Sequence, residues 1–299
     1  MSDPAQHSLH TELHTFRHLW GVNLPLEQAA SRFKAQGYNG LEGHFGDASA
    51  RRQARAILEA HGLENMAMTF TQPDPVSGHS VAAHLKSLER GLAESLETNP
   101  TRIVAHAGHD AWSEADTLRF FQAAVEQVSL LPVQVGFETH RGRCLNTPWG
   151  TLGVLKQFPN LKLTLDLSHW VLVCERFPDD QREALERAGD ACVHIHARVG
   201  HAQAPQVNDP RAPEHSQALA WFEQQWSKVW TAQINRGEMV SSLTPEFGPP
   251  DYQPTLPYTG MPLSDLETVC NWMRDRQLER FLPLPVAPAA IPHRQPPLE

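Results

Sequence analysis

Short runs of apolar and β-branched residues alternate with stretches whose apolar positions recur every three to four residues, from about residue 16 to residue 281. FRHLWGVN precedes LPLEQAASRFKAQG, where Leu26, Ala29, Ala30 and Phe33 share one helical face and Gly37 can close the helix. YNGLEGHFG leads to ASARRQARAILEAHG, ENMAMTFTQ to VAAHLKSLERGLAESLE, and TRIVAHAGHD to EADTLRFFQAAVEQVSLL. VQVGFETHRG precedes a helix within TPWGTLGVLKQF, and LKLTLDLSHW one within PDDQREALERAG. ACVHIHARVGH is followed, after a longer polar loop, by PEHSQALAWFEQQWSKVWTAQINRG; MVSSLTPEFG leads to MPLSDLETVCNWMRDRQLERF. Strands alternating with helices predict a parallel sheet. Eight such units favour closure into a single-domain (β/α)8 TIM barrel over an open doubly wound sheet.

The barrel is expected over residues 16–281, with a polar N-terminal extension at 1–15. The tail LPLPVAPAAIPHRQPPLE at 282–299 is too rich in proline for helix or sheet. The loop GHAQAPQVNDPRAPEHS after the seventh strand is long for a strand-to-helix connection, and long loops at that rim often shape a site.

A net charge of -9 and a pI near 6.0 disfavour nucleic acid as a partner, and no long Lys/Arg run offsets them. Cys144, Cys174, Cys192 and Cys270 form no C-x-x-C pair and read as free thiols in a reducing compartment. The N-terminus lacks the basic start and apolar core of a signal peptide, and no run approaches about 20 apolar residues, so a cytoplasmic, membrane-free protein is expected.

Strand parity exposes the chemistry. In CVHIHAR, His194, His196 and Arg198 share a face; Glu138 and His140 do so in QVGFETH, and Ser242, Thr244 and Glu246 in the eighth strand. Strands buried on both faces usually read as continuous apolar runs. Glu138, Asp166, His196 and Glu246 fall near the ends of four successive strands, roughly 30 to 50 residues apart, and a barrel gathers all such ends at one rim. A lone strand-end glutamate is more often a salt-bridge partner, and a lone strand histidine a hydrogen-bonded core residue. The ordered set of four instead predicts a metal site, because buried carboxylates need a compensating cation. Three carboxylates and an imidazole suit one divalent ion, Mn²⁺ foremost, with Mg²⁺, Co²⁺ and Zn²⁺ compatible.

Further rim candidates are His18 and Trp20 on the first strand and Glu42 and His44 on the second. Trp20, Phe45 and Trp170 are candidates for walls that stack on a sugar ring, against ordinary packing as the alternative. His106 and His140 are candidates either to support the metal-site residues from behind or to contact substrate; His109, His201 and Arg141 are weaker candidates. No glycine-rich phosphate loop occurs.

On Glu138, Asp166, His196 and Glu246, and on the pattern D-x-x-H formed by Asp166 and His169, the chain resembles the sugar isomerase/epimerase branch of the xylose isomerase-like TIM-barrel superfamily. The segment HARVGHAQAPQVNDP resembles a branch described only as sugar phosphate isomerase or epimerase. The resemblance implies a divalent-metal isomerase or epimerase acting on a keto-sugar or keto-glycoside through an enediolate. Glu138 and Glu246 would exchange protons with it, one on each face, and Asp166 and His196 would complete the metal set. His169 and Arg198 would hold substrate oxygens, with Trp20, His44, His106 and His140 as further substrate contacts. A small carbohydrate is the implied partner, and related barrels are often dimers or tetramers. Three alternatives stand beside it: a keto-polyol dehydratase using the same base, an endonuclease IV-like repair enzyme, and a non-catalytic sugar-binding barrel. The repair enzyme matches at Asp209 as well, but Arg211 stands where it would have histidine, and TFTQ lacks a third-strand histidine.

Overall fold

Eight parallel strands close on themselves in the computed structural model, which describes residues 11–281. In chain order these are β1 (Glu12–His18), α1 (Leu26–Ala35), β2 (Gly40–Gly43), α2 (Ala48–His61), β3 (Glu64–Phe70) and α3 (Val81–Leu96). Next come β4 (Arg102–His106), α4 (Glu114–Ser129), β5 (Gln134–Glu138), α5 (Pro148–Gln157), β6 (Leu163–Leu165), α6 (Leu167–Cys174) and α7 (Arg182–Ala191). The chain ends with β7 (Cys192–His196), a 3₁₀ turn at Pro213–His215, α8 (Ser216–Asn235), β8 (Val240–Thr244) and α9 (Leu266–Phe281). Each strand bonds to the next, and β8 returns to β1 with Leu243 opposite Thr15. The expected TIM barrel is therefore the fold. The proline-rich tail at 282–299 lies outside the described residues.

Local chemistry starts and stops the helices. Asp47 caps α2 by accepting from the Ser49 and Ala50 amides, and Gly62 ends it in the left-handed region at φ 58. Ser80, Ser113 and Thr147 cap α3, α4 and α5 through their hydroxyls. Ala29, Ala30 and Phe33 bury the inner face of α1, as their spacing predicts.

Two boundaries differ from the sequence reading. β1 begins at Glu12, four residues before the expected start of the barrel, and stops at His18. The letters HTELHT look like an extension, yet Leu13 and Thr15 are buried, because a barrel strand has covered surfaces on both faces. β6 is only three residues long, and LSHWVLVC forms α6 rather than prolonging the strand. A short continuous apolar run carries no period that separates strand from helix.

The barrel interior is polar. Arg102 donates to the Ser242 hydroxyl at 2.6 Å, and the His194 ring bonds Ser242 at 2.8 Å and Thr244 at 3.0 Å. Thr244 in turn donates to Glu42, which holds His196. This ladder satisfies the polar stripe seen in β7 and β8. At the rim, the long loop after β7 is tied down. Val199 and Val207 are buried, and the Gln206 amide group brackets the backbone of Gly248 at 2.7 and 3.0 Å. The loops following β7 and β8 are thus tied to each other. The four cysteines are buried free thiols, and no described helix is long and apolar enough to cross a membrane.

Candidate metal centre and its cavity

Glu138 is the last residue of β5, Asp166 follows β6 directly as the N-cap of α6, and His196 ends β7. Glu246 stands two residues past β8. Capping orients Asp166: one oxygen accepts the Ser168 amide at 2.9 Å. One donor atom from each of the four residues lies within 4.8 Å of all the others, and all four side chains are buried. His196 Nδ1 is 3.0 Å from Glu246 Oε2 and 3.6 Å from Glu138 Oε2.

Three of the four residues leave donor atoms without a hydrogen bond. Both carboxylate oxygens of Glu138, Oε2 of Glu246 and Nδ1 of His196 are buried without a hydrogen bond. Leaving such acceptors dry and unpaired costs about 1–3 kcal/mol each, more when charged. Arg198 bonds Asp166 and lies 3.0 Å from Glu246. Three carboxylates against one guanidinium leave two negative charges, which one divalent cation would balance. The donor set therefore fits such an ion.

The charges press on one another. Burial works to raise Glu138, but His106 at 2.5 Å and His196 outweigh it and hold the carboxyl well below its usual range. Burial raises Asp166 against the pull of Arg198, with Glu246 and Glu138 adding to the rise. Burial alone would depress His196; Glu246, Glu42 and Glu138 overcome it and raise the imidazole well above its ordinary value. That proton is one a cation would displace.

Glu42, from β2, completes the support. Its Oε1 is 2.7 Å from His196 Nε2, its other oxygen accepts the Thr244 hydroxyl, and His194 Nε2 is 3.5 Å away. Holding Nε2–H on Glu42 aims Nδ1 at the other three residues of the quartet. A second set of donor atoms, from His106, Glu138 and His140, lies beside the quartet and shares Glu138.

Above the quartet opens a cavity of about 460 Å³, a size usual for small-molecule sites. Five of the six candidate substrate residues line it: Trp20, His44, His106, His140 and Arg198. His169 sits behind them, fully buried, its ring 4.0 Å from that of His140 and its Nε2 3.1 Å from Arg198 Nη2. Glu246 and His18 reach the cavity too.

Other candidates fall elsewhere. Trp170 is a core residue whose Nε1 donates to the Leu145 carbonyl at 3.1 Å, and Phe45 packs against the cluster under α1 and α2. His109 stacks on His79, and His201 faces His215. Asp209 is engaged by Arg211 at 2.8 and 2.6 Å. The sequence reading missed Tyr252, whose ring lies under the guanidinium groups of Arg198 and Arg141 at 4.8 and 4.9 Å and meets Trp20 edge-on. It also missed Arg143, Met68 and Phe70 in the cavity lining. Tyr252 stands in an aperiodic stretch, PPDYQPT, that offers no pattern to read.

The sequence profile of the family described as xylose isomerase-like TIM barrel matches residues 30–216. A D-tagatose 3-epimerase-like protein superposes with a TM-score of 0.60 at 13% identity, covering 90% of this chain and 97% of its own. For 3-keto-D-glucoside 4-epimerase from E. coli the values are 0.54 and 14%, over 90% and 99% of the two chains. An AP endonuclease family 2 protein from Brucella melitensis gives 0.56 at 13%, over 89% and 98%. At these identities the likeness is one of fold. None of the curated proteins matches the sequence.

Proposed function

Because the chain belongs to the xylose isomerase-like TIM-barrel family, we propose that it is a divalent-metal-dependent isomerase or epimerase of a keto-sugar or keto-glycoside. One observation carries the reading: buried donor atoms of Glu138, Asp166, His196 and Glu246 converge beneath a cavity, and those of Glu138, His196 and Glu246 include atoms without a hydrogen bond. Mn²⁺ is the ion that best suits three carboxylates and an imidazole. When bound there, it would act as a Lewis acid on the substrate carbonyl and make the neighbouring C–H more acidic.

The residues divide the work. Asp166 and His196 hold the ion, with Glu42 orienting His196. Glu246 reaches the cavity and removes the proton next to the carbonyl. Glu138, 2.5 Å from His106, once protonated delivers a proton on the opposite face, which inverts or relocates the stereocentre. Arg198 and His169 stabilise negative charge as it develops on the substrate oxygens. Trp20 and Tyr252 give the sugar ring apolar surface, and Met68 and Phe70 complete that wall.

The pairing of Asp209 with Arg211 speaks against a trinuclear, endonuclease IV-like cluster, since that carboxylate is already taken. The test is metal titration combined with product analysis. Wild type should bind about one Mn²⁺ per chain tightly, and Asp166→Ala should lose it. Incubation with ketoses and 3-keto-glycosides should give isomers. Water loss would indicate a dehydratase instead, and full turnover by Glu246→Gln would exclude the proton-transfer role.

A further inference from the structure

Arg143, on the loop after β5, lines the cavity and is half-buried. Its Nη1 donates to the Thr71 carbonyl at 2.8 Å and lies 3.5 Å from that of Gly108, just past β3 and β4. Those two anchors fix the plane of the guanidinium. Nε and Nη2 make no hydrogen bond among the described residues, and neither is sealed from solvent. These two nitrogens share one edge of the group, where parallel N–H bonds match two oxygens of a single carboxylate or phosphate.

The surrounding charges leave that edge free. Arg198, the other arginine of the lining, has its Nη2 on Asp166 and Glu246, which leaves only Nη1 without a partner. Glu138 is engaged by His106 and His196, and Asp110 is exposed beside His109. Burial pulls the Arg143 pKa below the ordinary guanidinium value, against the influence of Glu138, as expected for a cation without its own counter-ion. Arg141 adds a second positive charge behind the wall, stacked on Tyr252 at 4.9 Å. A chain with net charge -9 thus presents a free cation inside its one described cavity that also reaches Glu246.

We infer that the substrate is anionic, a keto-polyol bearing a carboxylate or a phosphate ester, and that Arg143 receives this group on its Nε/Nη2 edge. The inference rests on the cavity being the substrate site. A guanidinium edge binds such a group without a glycine-rich loop, so the lack of that motif does not bear on it. The anionic end then lies at Arg143 and the reacting carbonyl toward Glu246, which sets the substrate's direction in the cavity.

Calorimetric titration of the full-length, Mn²⁺-loaded protein with D-gluconate, D-glucitol 6-phosphate and neutral D-glucitol tests this. At least one anion should bind about tenfold or more tighter than D-glucitol, as one charge-assisted pair supplies. Whichever anion binds tighter identifies the group. Arg143→Met should bring that anion to within about twofold of D-glucitol while leaving D-glucitol affinity and Tm near wild type, and Arg143→Lys should restore part of the preference. Equal binding of all three ligands by wild type, or an anion preference that survives Arg143→Met, would overturn the inference. Wild-type turnover separates the two claims: anion preference without turnover in wild type would sink the catalytic reading alone. Turnover of neutral keto-sugars without anion preference would sink only this one.

Discussion

Glu42 is not part of the described lining of the cavity above the quartet, yet its removal should loosen the metal. The carboxylate is fully buried and makes a 2.7 Å contact to His196 Nε2 while accepting the Thr244 hydroxyl. Burial opposes its charge, but His196 and His194 hold it well below the usual carboxylate range, so the contact to His196 is charge-assisted. Such bonds are roughly twice as strong as neutral ones. Glu42→Gln keeps an acceptor for His196 but loses the charge, which predicts about a tenfold loss of Mn²⁺ affinity, near 1.4 kcal/mol. Glu42→Ala leaves His196 Nε2–H and the Thr244 hydroxyl without that acceptor and frees the ring to turn. The loss should then approach 100-fold, about 2.8 kcal/mol. Calorimetric titration of Mn²⁺ into chelator-stripped protein reads both values, with a thermal melt to verify folding. If both variants bind within about twofold of wild type, His196 is not positioned by Glu42 and the orientation argument is wrong.

Two further outcomes follow from the structure. A Cβ at Gly248 would collide with the Trp20 indole, so Gly248→Ala should displace that wall and raise KM for any productive ketose more than it lowers kcat; an unchanged KM would remove Trp20 from the substrate surface. Stability should also depend on pH through buried histidines such as His84, whose pKa burial, with His79, Arg143 and His109, lowers to about 4 from an ordinary 6.5. The unfolded chain takes up that proton first, so stability present above pH 6.5 is lost as pH falls toward 4. The drop in Tm across that window should be smaller in His84→Gln, and an equal drop would assign the dependence to other groups.

The fold was legible because periodicity and turn residues repeat with the same rhythm through the barrel, and α1 and α2 fall where Phe33, Gly37 and Gly62 imply. The convergence of Glu138, Asp166, His196 and Glu246 was legible for a related reason: strand ends in a parallel barrel meet by topology, whatever their sequence separation. What escaped were features set by tertiary packing. Glu42 was visible only as a rim residue, since nothing in GLEG points to His196 across 154 positions. Tyr252, Met68 and Phe70 entered the cavity lining through loop geometry and barrel closure. Trp170 showed the opposite error: an aromatic four residues past Asp166 looked like a wall, but the start of α6 turns it into the core.

The most direct measurement is solvent hydrogen exchange in D₂O, followed by NMR, into keto-sugars, keto-glycosides and their carboxylate and phosphate derivatives, with the Mn²⁺-loaded protein. The account predicts deuterium at the carbon next to the carbonyl with wild type, and its loss in Glu246→Gln despite retained Mn²⁺. No incorporation into any of these compounds, or incorporation that continues undiminished in Glu246→Gln, would contradict it.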